Sequence, residues 1–347
     1  MCPHDNDIHL FYPMDWQITP RAGHDTLLAA TLHWSVHGGV VQPGSSLHRS
    51  LSHMRSDLAT VLAYPSSIGD TAQLISDFIG WYLLVDDHLE SVNQGDLQPG
   101  RMSAVFERFL EMLFEPGASS EPTDSGLLAG AMDLGTRFRA LASTAWLARF
   151  RESMRTYFYL GVLPEIIHRM RRTLPSPIEY VEIRVDSSGS YPIFDLIEIA
   201  TGDELPEEIA AHPLIRKLRR AAAVTISWAN DVLSFHKEGG ARSALNLPHL
   251  LMADCGLTEQ QALNIAVRYH NAEMRYYLSI QQEVRELAAL DCALVRAWMH
   301  GLDTVMRGLL EWQLLAARYT LGRSITVRVA DRVQETTSRV VGQAVGL

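Results

Sequence analysis

Apolar residues recur every three to four positions along most of the chain, which is the spacing of a helix with one buried face. No stretch alternates apolar and polar positions as a half-buried strand does. Gly, Pro and capping residues divide the pattern into segments. The predicted helices run over 24–36, 46–63, 70–90, 102–114, 127–142, 144–172 with a kink at Pro164, 177–187, 213–238, 258–287 and 290–319. The pattern therefore predicts a single all-α domain of many helices.

The two ends of the chain depart from this pattern. Residues 1–25 are rich in Pro, His and Asp, which predicts an irregular N-terminal arm ahead of a helical domain at 26–323. Phe11-Tyr12-Pro13 supplies apolar side chains that a lid over a cavity mouth needs, and a surface tether is the alternative interpretation. Residues 324–347 form a polar, Val-rich tail that is predicted to be disordered or a short helix.

An acidic motif, Asp86-Asp87-His88-Leu89-Glu90, follows the apolar run at 78–85. Asp86 and Glu90 are one helical turn apart and share a face. Carboxylates beside an apolar run are costly unless they are paired or bind a metal. The C-terminal end of a helix also disfavours negative charge, so a bound cation would stabilise it. The sequence predicts a cation site here, and a solvated helix end is the alternative.

A second polar stripe lies on the helix predicted at 213–238. Asn230, Ser234 and Glu238 are spaced at i, i+4 and i+8, so their side chains stack along one face. An amide, a hydroxyl and a carboxylate form a hard-oxygen set that suits Mg²⁺, whose remaining ligands are usually water and substrate phosphates. The stripe could also be the polar face of a surface helix, but Val232 and Phe235 beside it indicate burial.

Composition argues against several classes of protein. Of the 347 residues 47% are hydrophobic, enough for a sizeable core, and the net charge of −10 disfavours nucleic acid or an anionic membrane as a partner. Three scattered cysteines predict a reducing compartment without disulfides. The start lacks the features of a signal peptide, and no apolar run reaches the length of a membrane span. We therefore expect a soluble, cytoplasmic protein.

Two further positions complete a set of four motifs. Arg184 lies 230 − 184 = 46 residues before Asn230, and Arg318-Tyr319 stands near the end of the last long helical stretch. In this order, the set resembles the DDxxD/E motif, the sensor arginine, the NDxxSxxxE motif and the late Arg-Tyr pair of bacterial class I terpene synthases, the terpene cyclases. One such motif alone is a weak signal, whereas the ordered set across 86–319 is specific. The resemblance implies an α-helical bundle of the class I isoprenoid synthase type with the active-site cavity inside it.

The resemblance also implies a role for each matching residue. The metal ligands it implies are Asp86, Asp87, Glu90, Asn230, Ser234 and Glu238. Of these, Asp87 and Glu90 are expected to orient the first wall rather than to ligate. The implied diphosphate-binding residues are Arg184, Lys237, Arg318 and Tyr319. Ser187 and Ser188 take the linker and effector positions that act in catalysis with Arg184, where other members carry Asp, Thr or Gly. Tyr82 and Trp312 are candidates for the pocket wall. Taken singly, Arg184 also fits a surface ion pair, Lys237 an exposed lysine, and the aromatics core packing.

The implied reaction is the ionisation and cyclisation of a linear prenyl diphosphate, with release of diphosphate and formation of a terpene hydrocarbon or alcohol. Three Mg²⁺ ions are expected, with Mn²⁺ as a substitute, and a homodimer suits the family. Farnesyl diphosphate is the favoured substrate and geranylgeranyl diphosphate the next. The alternatives are a chain-elongating prenyltransferase, which usually carries two aspartate-rich motifs, and a non-catalytic helical binding protein. A phosphohydrolase is a third alternative, but its usual His-Asp clusters are not evident in the sequence.

Overall fold

A computed structural model describes residues 7–13, 15–16, 18, 24–91, 98–119, 125–235, 245–316, 326–330 and 340–341. Side chains are described for all of these except residues 7, 90, 91, 326–330 and 340–341. Within these ranges the chain forms fifteen α-helices, one π-helical turn and three short strands. The all-α prediction is therefore confirmed, and the three short strands are the departure from it.

The α-helices, numbered α1 to α15 in chain order, are His24–His37, Ser46–Met54, Ser56–Ala63, Gly69–Ser91, Pro99–Phe114, Gly126–Leu141, Thr144–Thr156, Leu163–Arg171, Pro177–Ser187, Ser190–Thr201, Glu207–Ala210, Pro213–Ser234, Leu247–Cys255, Glu259–Glu286 and Ala293–Leu315. The π-helical turn Tyr157–Val162 joins α7 to α8. The strands are β1 at Asp7–Phe11, β2 at Thr326–Ala330 and β3 at Val340–Val341.

Two helix starts follow directly from capping chemistry. Ser176 Oγ accepts a hydrogen bond from the Glu179 amide, and the Glu179 carboxylate accepts one from the Ser176 amide. Thr258 and Gln261 form the same reciprocal pair at the start of α14. Each pair satisfies amides that a helix end otherwise leaves without partners. The starts predicted for α9 and α14 are confirmed.

The single helix predicted over 46–63 is instead two helices. Arg55 adopts a left-handed conformation with φ of 54°, and this residue separates α2 from α3. Its guanidinium donates to both carboxylate oxygens of the buried Asp57, each at 3.0 Å. The paired, charge-assisted bonds offset the cost of the left-handed backbone, which a spacing pattern cannot reveal.

The two helices that carry the acidic motifs, α4 and α12, are both packed inside the bundle. Each contacts α10, which follows α9 after a break in the helix. Phe78 and Trp81 bury the apolar face of α4, and α12 packs along α14 and α15. Gly308 lets α15 approach the backbone of α3 at Leu62. The packing fixes α4 and α12 relative to the α9–α10 break between them.

The N-terminal arm is docked on the outside of α14. β1 pairs in parallel with β2, and β2 pairs antiparallel with β3. Asn271 on α14 accepts from the Phe11 amide at 2.7 Å and donates to the His9 carbonyl at 2.9 Å. These bonds tie both ends of the chain to the same helix. No helix within the described ranges has the length and apolar character needed to cross a bilayer.

Candidate active site

The first wall of the site is the C-terminal part of α4. Asp86 is partly exposed, and Tyr157 Oη donates a hydrogen bond to its Oδ1 at 3.0 Å. Asp87 accepts from Ser50 Oγ at 3.3 Å. The two neighbouring acids therefore contact different helices, Asp86 the π turn and Asp87 α2. The hydroxyl of Tyr157 therefore orients the Asp86 carboxylate.

The π-helical turn places two side chains at this wall. Tyr157 opens the turn, and Glu165 lies on α8 just after it. Within the turn, Gly161 rests on the backbone of Ser187, so closely that a side chain there would collide with it. A π turn widens the helix by one residue and is frequently found at functional sites. Here it seats the helix against the α9–α10 break.

The α9–α10 break is built around Gly189. Its φ of 68° lies in the left-handed region, and a β-carbon there would collide with Tyr82 Oη. Tyr82 Oη on α4, which faces Gly189, is buried without a hydrogen-bond partner among the described residues, whereas Ser187 Oγ interacts with the Glu165 carboxyl. Ser188 Oγ donates to the Val185 carbonyl at 2.9 Å. Orphaned buried hydroxyls are rare, and they are expected where a site is completed by a ligand.

The second wall is the C-terminal part of α12, and Asp231 anchors it. Asp231 is 1% exposed and accepts from Arg184 Nε at 2.7 Å, from Tyr180 Oη at 2.6 Å and from the Leu247 amide at 3.0 Å. These three donors satisfy a buried carboxylate. Asp231 is therefore a scaffold residue that fixes the guanidinium of Arg184.

Asn230 points to the other side of the same guanidinium. Arg184 Nη2 donates to Asn230 Oδ1 at 2.6 Å, and Asn230 Nδ2 reaches Gln313 Oε1 at 3.5 Å. One turn later, the buried Ser234 Oγ lies 3.4 Å from Asn246 Nδ2. The amide oxygen and the hydroxyl thus lie on one face of α12, as their spacing predicts.

Glu165 lies between the two walls. Burial raises the pKa of its carboxyl from 4.5 to about 7, Arg184 and Ser187 oppose the rise, and Asp86 adds to it. Asp86 and Arg184 both act on this carboxyl, so the three groups are near enough to interact electrostatically. Arg184 in turn contacts Asn230, so the two predicted walls belong to one connected polar network.

The described residues include part of the predicted site. The network contains Asp86, Arg184, Asn230 and the linker residue Ser187, and Tyr82 lies against the α9–α10 break. Trp312 is buried and donates from Nε1 to the Met54 carbonyl at 2.8 Å, so it also packs α15 against α2. Lys237, Glu238, Arg318 and Tyr319 lie outside the described residues, and Glu90 lies in α4 with its side chain outside them.

Four participants were not singled out from the sequence: Tyr157, Glu165, Arg169 and Gln313. Arg169 donates to the Leu89 carbonyl at 3.4 Å, and its positive charge lowers the pKa of Glu165. Sequence spacing carries no signal for these residues, because each comes from a helix whose approach depends on tertiary packing. A signal that could have drawn attention to Glu165 is a carboxylate directly after Pro164 in an otherwise apolar stretch.

The donor set of the two walls suits a hard divalent cation. Carboxylate, amide and hydroxyl oxygens are offered by Asp86, Asn230 and Ser234. A second group of possible ligands, His24, Asp25 and Asp57, brings its atoms within 4.8 Å of one another. There, however, the Arg55 fork already occupies both oxygens of Asp57. An arginine in that place repels a cation, so the acidic walls are the better metal site.

Comparison with known proteins agrees with this geometry. Residues 77–276, which include both walls, match the family described as terpene synthase family 2, C-terminal metal binding. A (+)-T-muurolol synthase from Roseiflexus castenholzii, described as cyclizing (2E,6E)-farnesyl diphosphate, is 31% identical over 91% of this chain and 94% of its own. The chain belongs to the class I terpene synthases. This terpene synthase is therefore a terpene cyclase with a metal-binding domain.

Other terpene synthases align over most of the chain. A (+)-eremophilene synthase from Sorangium cellulosum is 29% identical over 88% of this chain and 91% of its own. Among solved structures, an α-eudesmol synthase matches with a TM-score of 0.77 at 22% identity, over 88% of this chain and 99% of its own. The structural likeness supports the fold, and the sequence relatives support the family.

Proposed function

We propose that this terpene synthase ionises and cyclises farnesyl diphosphate, with geranylgeranyl diphosphate as the next candidate. The observation that carries the proposal is the shared guanidinium of Arg184. Asp231 holds its Nε while Nη2 reaches Asn230, and the guanidinium and Asp86 both act on the pKa of Glu165. A cation between two hard-oxygen walls suits a diphosphate that must be held from both sides.

The residues of the chain perform four tasks in this proposal. Arg184, with Lys237, Arg318 and Tyr319, donates hydrogen bonds to the diphosphate, and Arg184 Nη2 leaves Asn230 Oδ1 to do so. Tyr157 keeps the Asp86 carboxylate oriented. Tyr82 and Trp312 exclude water and present ring faces, which stabilise carbocations. Ser187 and Ser188, at the α9–α10 break, contact the substrate once the diphosphate is bound.

Three Mg²⁺ ions, with Mn²⁺ as a substitute, would neutralise the charge that develops on the leaving diphosphate. The proposed ligands are Asp86, Asn230, Ser234 and Glu238, with Asp87 and Glu90 orienting the first wall. The catalytic domain is assigned to residues 26–323, ahead of a tail at 324–347.

The direct test is product analysis. Purified protein is incubated with geranyl, farnesyl or geranylgeranyl diphosphate, with Mg²⁺ or with a chelator, and extracts are examined by gas chromatography and mass spectrometry. A cyclic product from farnesyl diphosphate that requires the metal is expected. Absence of a metal-dependent terpene from all three substrates would contradict the proposal.

A chain-elongating prenyltransferase is the second candidate because it shares the helical architecture. Adding isopentenyl diphosphate to the same incubation separates the two activities, since only an elongating enzyme yields a longer prenyl diphosphate. Asn230→Ala serves as the control in both assays. If diphosphate release continues unchanged in that variant, the released diphosphate does not come from this site.

A further inference from the structure

A cavity lies beneath the N-terminal arm, between α14 and α15. Its volume is about 980 Å³, within the range of roughly 300–1,000 Å³ that small-molecule sites occupy. The arm covers it with Phe11, Trp16 and Ile18. None of its described lining residues belongs to α4, α9 or α12, so the cavity is separate from the acidic walls.

Two facing rows of side chains form the walls of this cavity. On α14 the row is Arg275, Leu278, Gln282 and Arg285, spaced by three or four residues and therefore on one face. On α15 the row is Arg296, Met299, Asp303 and Arg307, with the same spacing. Each row carries an arginine at both ends and an apolar side chain next to the first one. The cavity thus has an arginine at both ends of each row and one apolar and one polar side chain between them.

The charge in this cavity contrasts with that of the whole chain. The chain has a net charge of −10, yet four arginines line the cavity. Arg296 pairs with Asp291 and Arg307 with Glu311, which leaves Arg275 and Arg285 outside the ion pairs described in the structure. Arg275 stacks over the Phe11 ring at 5.4 Å, and Arg285 donates to Gln281 Oε1 at 3.4 Å and lies near enough to Asp303 to lower its pKa. These two guanidinium groups are therefore the ones that can bind an anionic partner.

Two acids, Asp15 and Asp303, line the cavity, and Asp303 opposes the binding of an anion only weakly. Asp303 accepts from Tyr277 Oη at 2.6 Å and from Gln281 Nε2 at 2.7 Å. Burial raises the pKa of the Asp303 carboxyl to about 7, so a sizeable fraction is uncharged near neutral pH. Arg275 and Arg285 can therefore attract an anion with little opposition from Asp303.

The apolar side chains of the cavity suit a ligand with a hydrocarbon tail better than a compact ion. Met299 is buried, and Leu278 and Ile18 are partly exposed toward the cavity. Trp16 packs edge-on against the Tyr277 ring with centroids 6.0 Å apart, which fixes the arm at this wall. A molecule with an anionic head and a linear apolar tail would satisfy both the arginines and this wall.

We propose that the cavity binds a single-chain amphipathic anion, either an acyl carboxylate or a prenyl phosphate. The head lies at Arg275 or Arg285, and the tail runs along Leu278, Met299 and Trp16. Binding buries the tail under the arm and so holds the arm against α14 and α15. The proposal is independent of the reaction proposed for the acidic walls.

The test is isothermal titration calorimetry on the full chain in the presence of a chelator. Laurate, dodecyl phosphate and farnesyl monophosphate are expected to bind with dissociation constants of about 1–100 µM. The double variant Arg275→Ala/Arg285→Ala is expected to weaken binding at least tenfold. Arg268→Ala, an exposed arginine on the same helix outside the cavity, is the matched control and should bind as the wild type does.

Further arms of the experiment locate the ligand and identify its source. Arg184→Ala, once circular dichroism shows native helix content under the assay conditions, should bind all three ligands unchanged. Lost binding by this folded variant would place them in the acidic site and overturn the proposal. If the variant does not fold, Asn230→Ala replaces it with the same two outcomes. Inorganic phosphate and butyrate should bind at least tenfold more weakly than the long-chain anions. Three other results would also overturn the proposal. The short ions could bind as tightly as the long-chain anions, the double variant could bind as tightly as the wild type, or millimolar ligand could give no heat. A tenfold preference for farnesyl monophosphate over laurate would assign the ligand to the isoprenoids, and the reverse preference to the fatty acids.

Discussion

Asp231 and Asp86 are aspartates of two acidic motifs in one network, but their surroundings differ. Asp231 is buried beside α13 and accepts hydrogen bonds from three donors, which include a guanidinium and a main-chain amide. Asp86 is partly exposed and oriented by the neutral hydroxyl of Tyr157. Three donors of the chain occupy the first carboxylate, whereas the second is partly exposed. Burial and donor type, rather than the motif letters, therefore distinguish the two acids, and only the second is proposed as a metal ligand.

The largest effect is expected from Asp231→Asn, which leaves the guanidinium of Arg184 without its buried counter-charge. Removing one partner of a buried pair typically costs about 3–5 kcal/mol, and we predict a loss of this size in the free energy of unfolding. Urea denaturation followed by circular dichroism measures it. The matched control is Glu182→Gln, which breaks the exposed Arg220–Glu182 pair between the same two helices. That change should cost less than about 1 kcal/mol; equal losses would remove the distinction between the two acids.

Asp86→Asn should have the opposite profile. If Asp86 binds a cation, kcat/KM for diphosphate release should fall by about 100- to 1,000-fold because stabilisation of the leaving group is lost. The free energy of unfolding should change by less than about 1 kcal/mol, since the neutral side chain keeps the Tyr157 contact. Asp70→Asn, at the exposed start of the same helix, should leave the rate unchanged. A stability loss without a rate loss would make Asp86 a scaffold residue like Asp231.

Asp303 extends the comparison to a third aspartate. It is buried like Asp231, but both of its hydrogen-bond donors are neutral side chains. Its folded-state pKa of about 7 lies above the ordinary 3.8, so between these values the folded chain holds a proton that the unfolded chain has lost. This contribution to stability is complete at low pH and disappears as pH rises through about 7.

Relative to Asp303→Asn, the wild type should lose about 2–3 kcal/mol of unfolding free energy between pH 5 and pH 8. Denaturation of both proteins at several pH values measures the difference. A constant difference would show that Asp303 does not titrate in this range. The nearby charged groups, Asp15 and Arg285, remain in both proteins and cancel in the comparison.

The smallest effect is expected at Tyr157, whose hydroxyl only orients Asp86. Tyr157→Phe removes one hydrogen bond, worth about 1 kcal/mol, so kcat/KM should fall about fivefold and the Mg²⁺ concentration for half-maximal rate should rise. The control is Tyr159→Phe in the same π turn, whose hydroxyl bonds the exposed Glu107. An equal response of the two variants would indicate a general effect on the turn rather than orientation of Asp86.

Much of the fold could be predicted because it depends on local spacing and capping. The helices at 177–187 and 259–286 begin where Ser176 and Thr258 place their side chains. The α9–α10 break was also predictable, since Gly189 follows two serines. The division at Arg55 was not, because it depends on a bond to Asp57.

The site was predictable only along single helices. The spacing of Asn230 and Ser234 places them on one face of any α-helix, independently of tertiary packing. The roles of Tyr157 and Glu165 depend on how α8 meets α4 and α9, which no local pattern encodes. Asp231 shows that a motif can also mislead. Its neighbours in the motif suggest a metal ligand, but three donors of the chain already occupy its carboxylate.

The π turn at Tyr157–Val162 has an evolutionary consequence. Such a turn corresponds to one residue inserted into an α-helix, so deleting one residue within 158–160 would restore regular winding. Because the widened turn absorbs one extra residue, the helix on either side of it would keep nearly the same rotation after that deletion. Only the bulge that brings Gly161 onto the Ser187 backbone would be lost. The same deletion in the regular part of α7 would instead rotate everything before it by about 100°. Changes in length should therefore be better tolerated inside this turn than in the helix that precedes it.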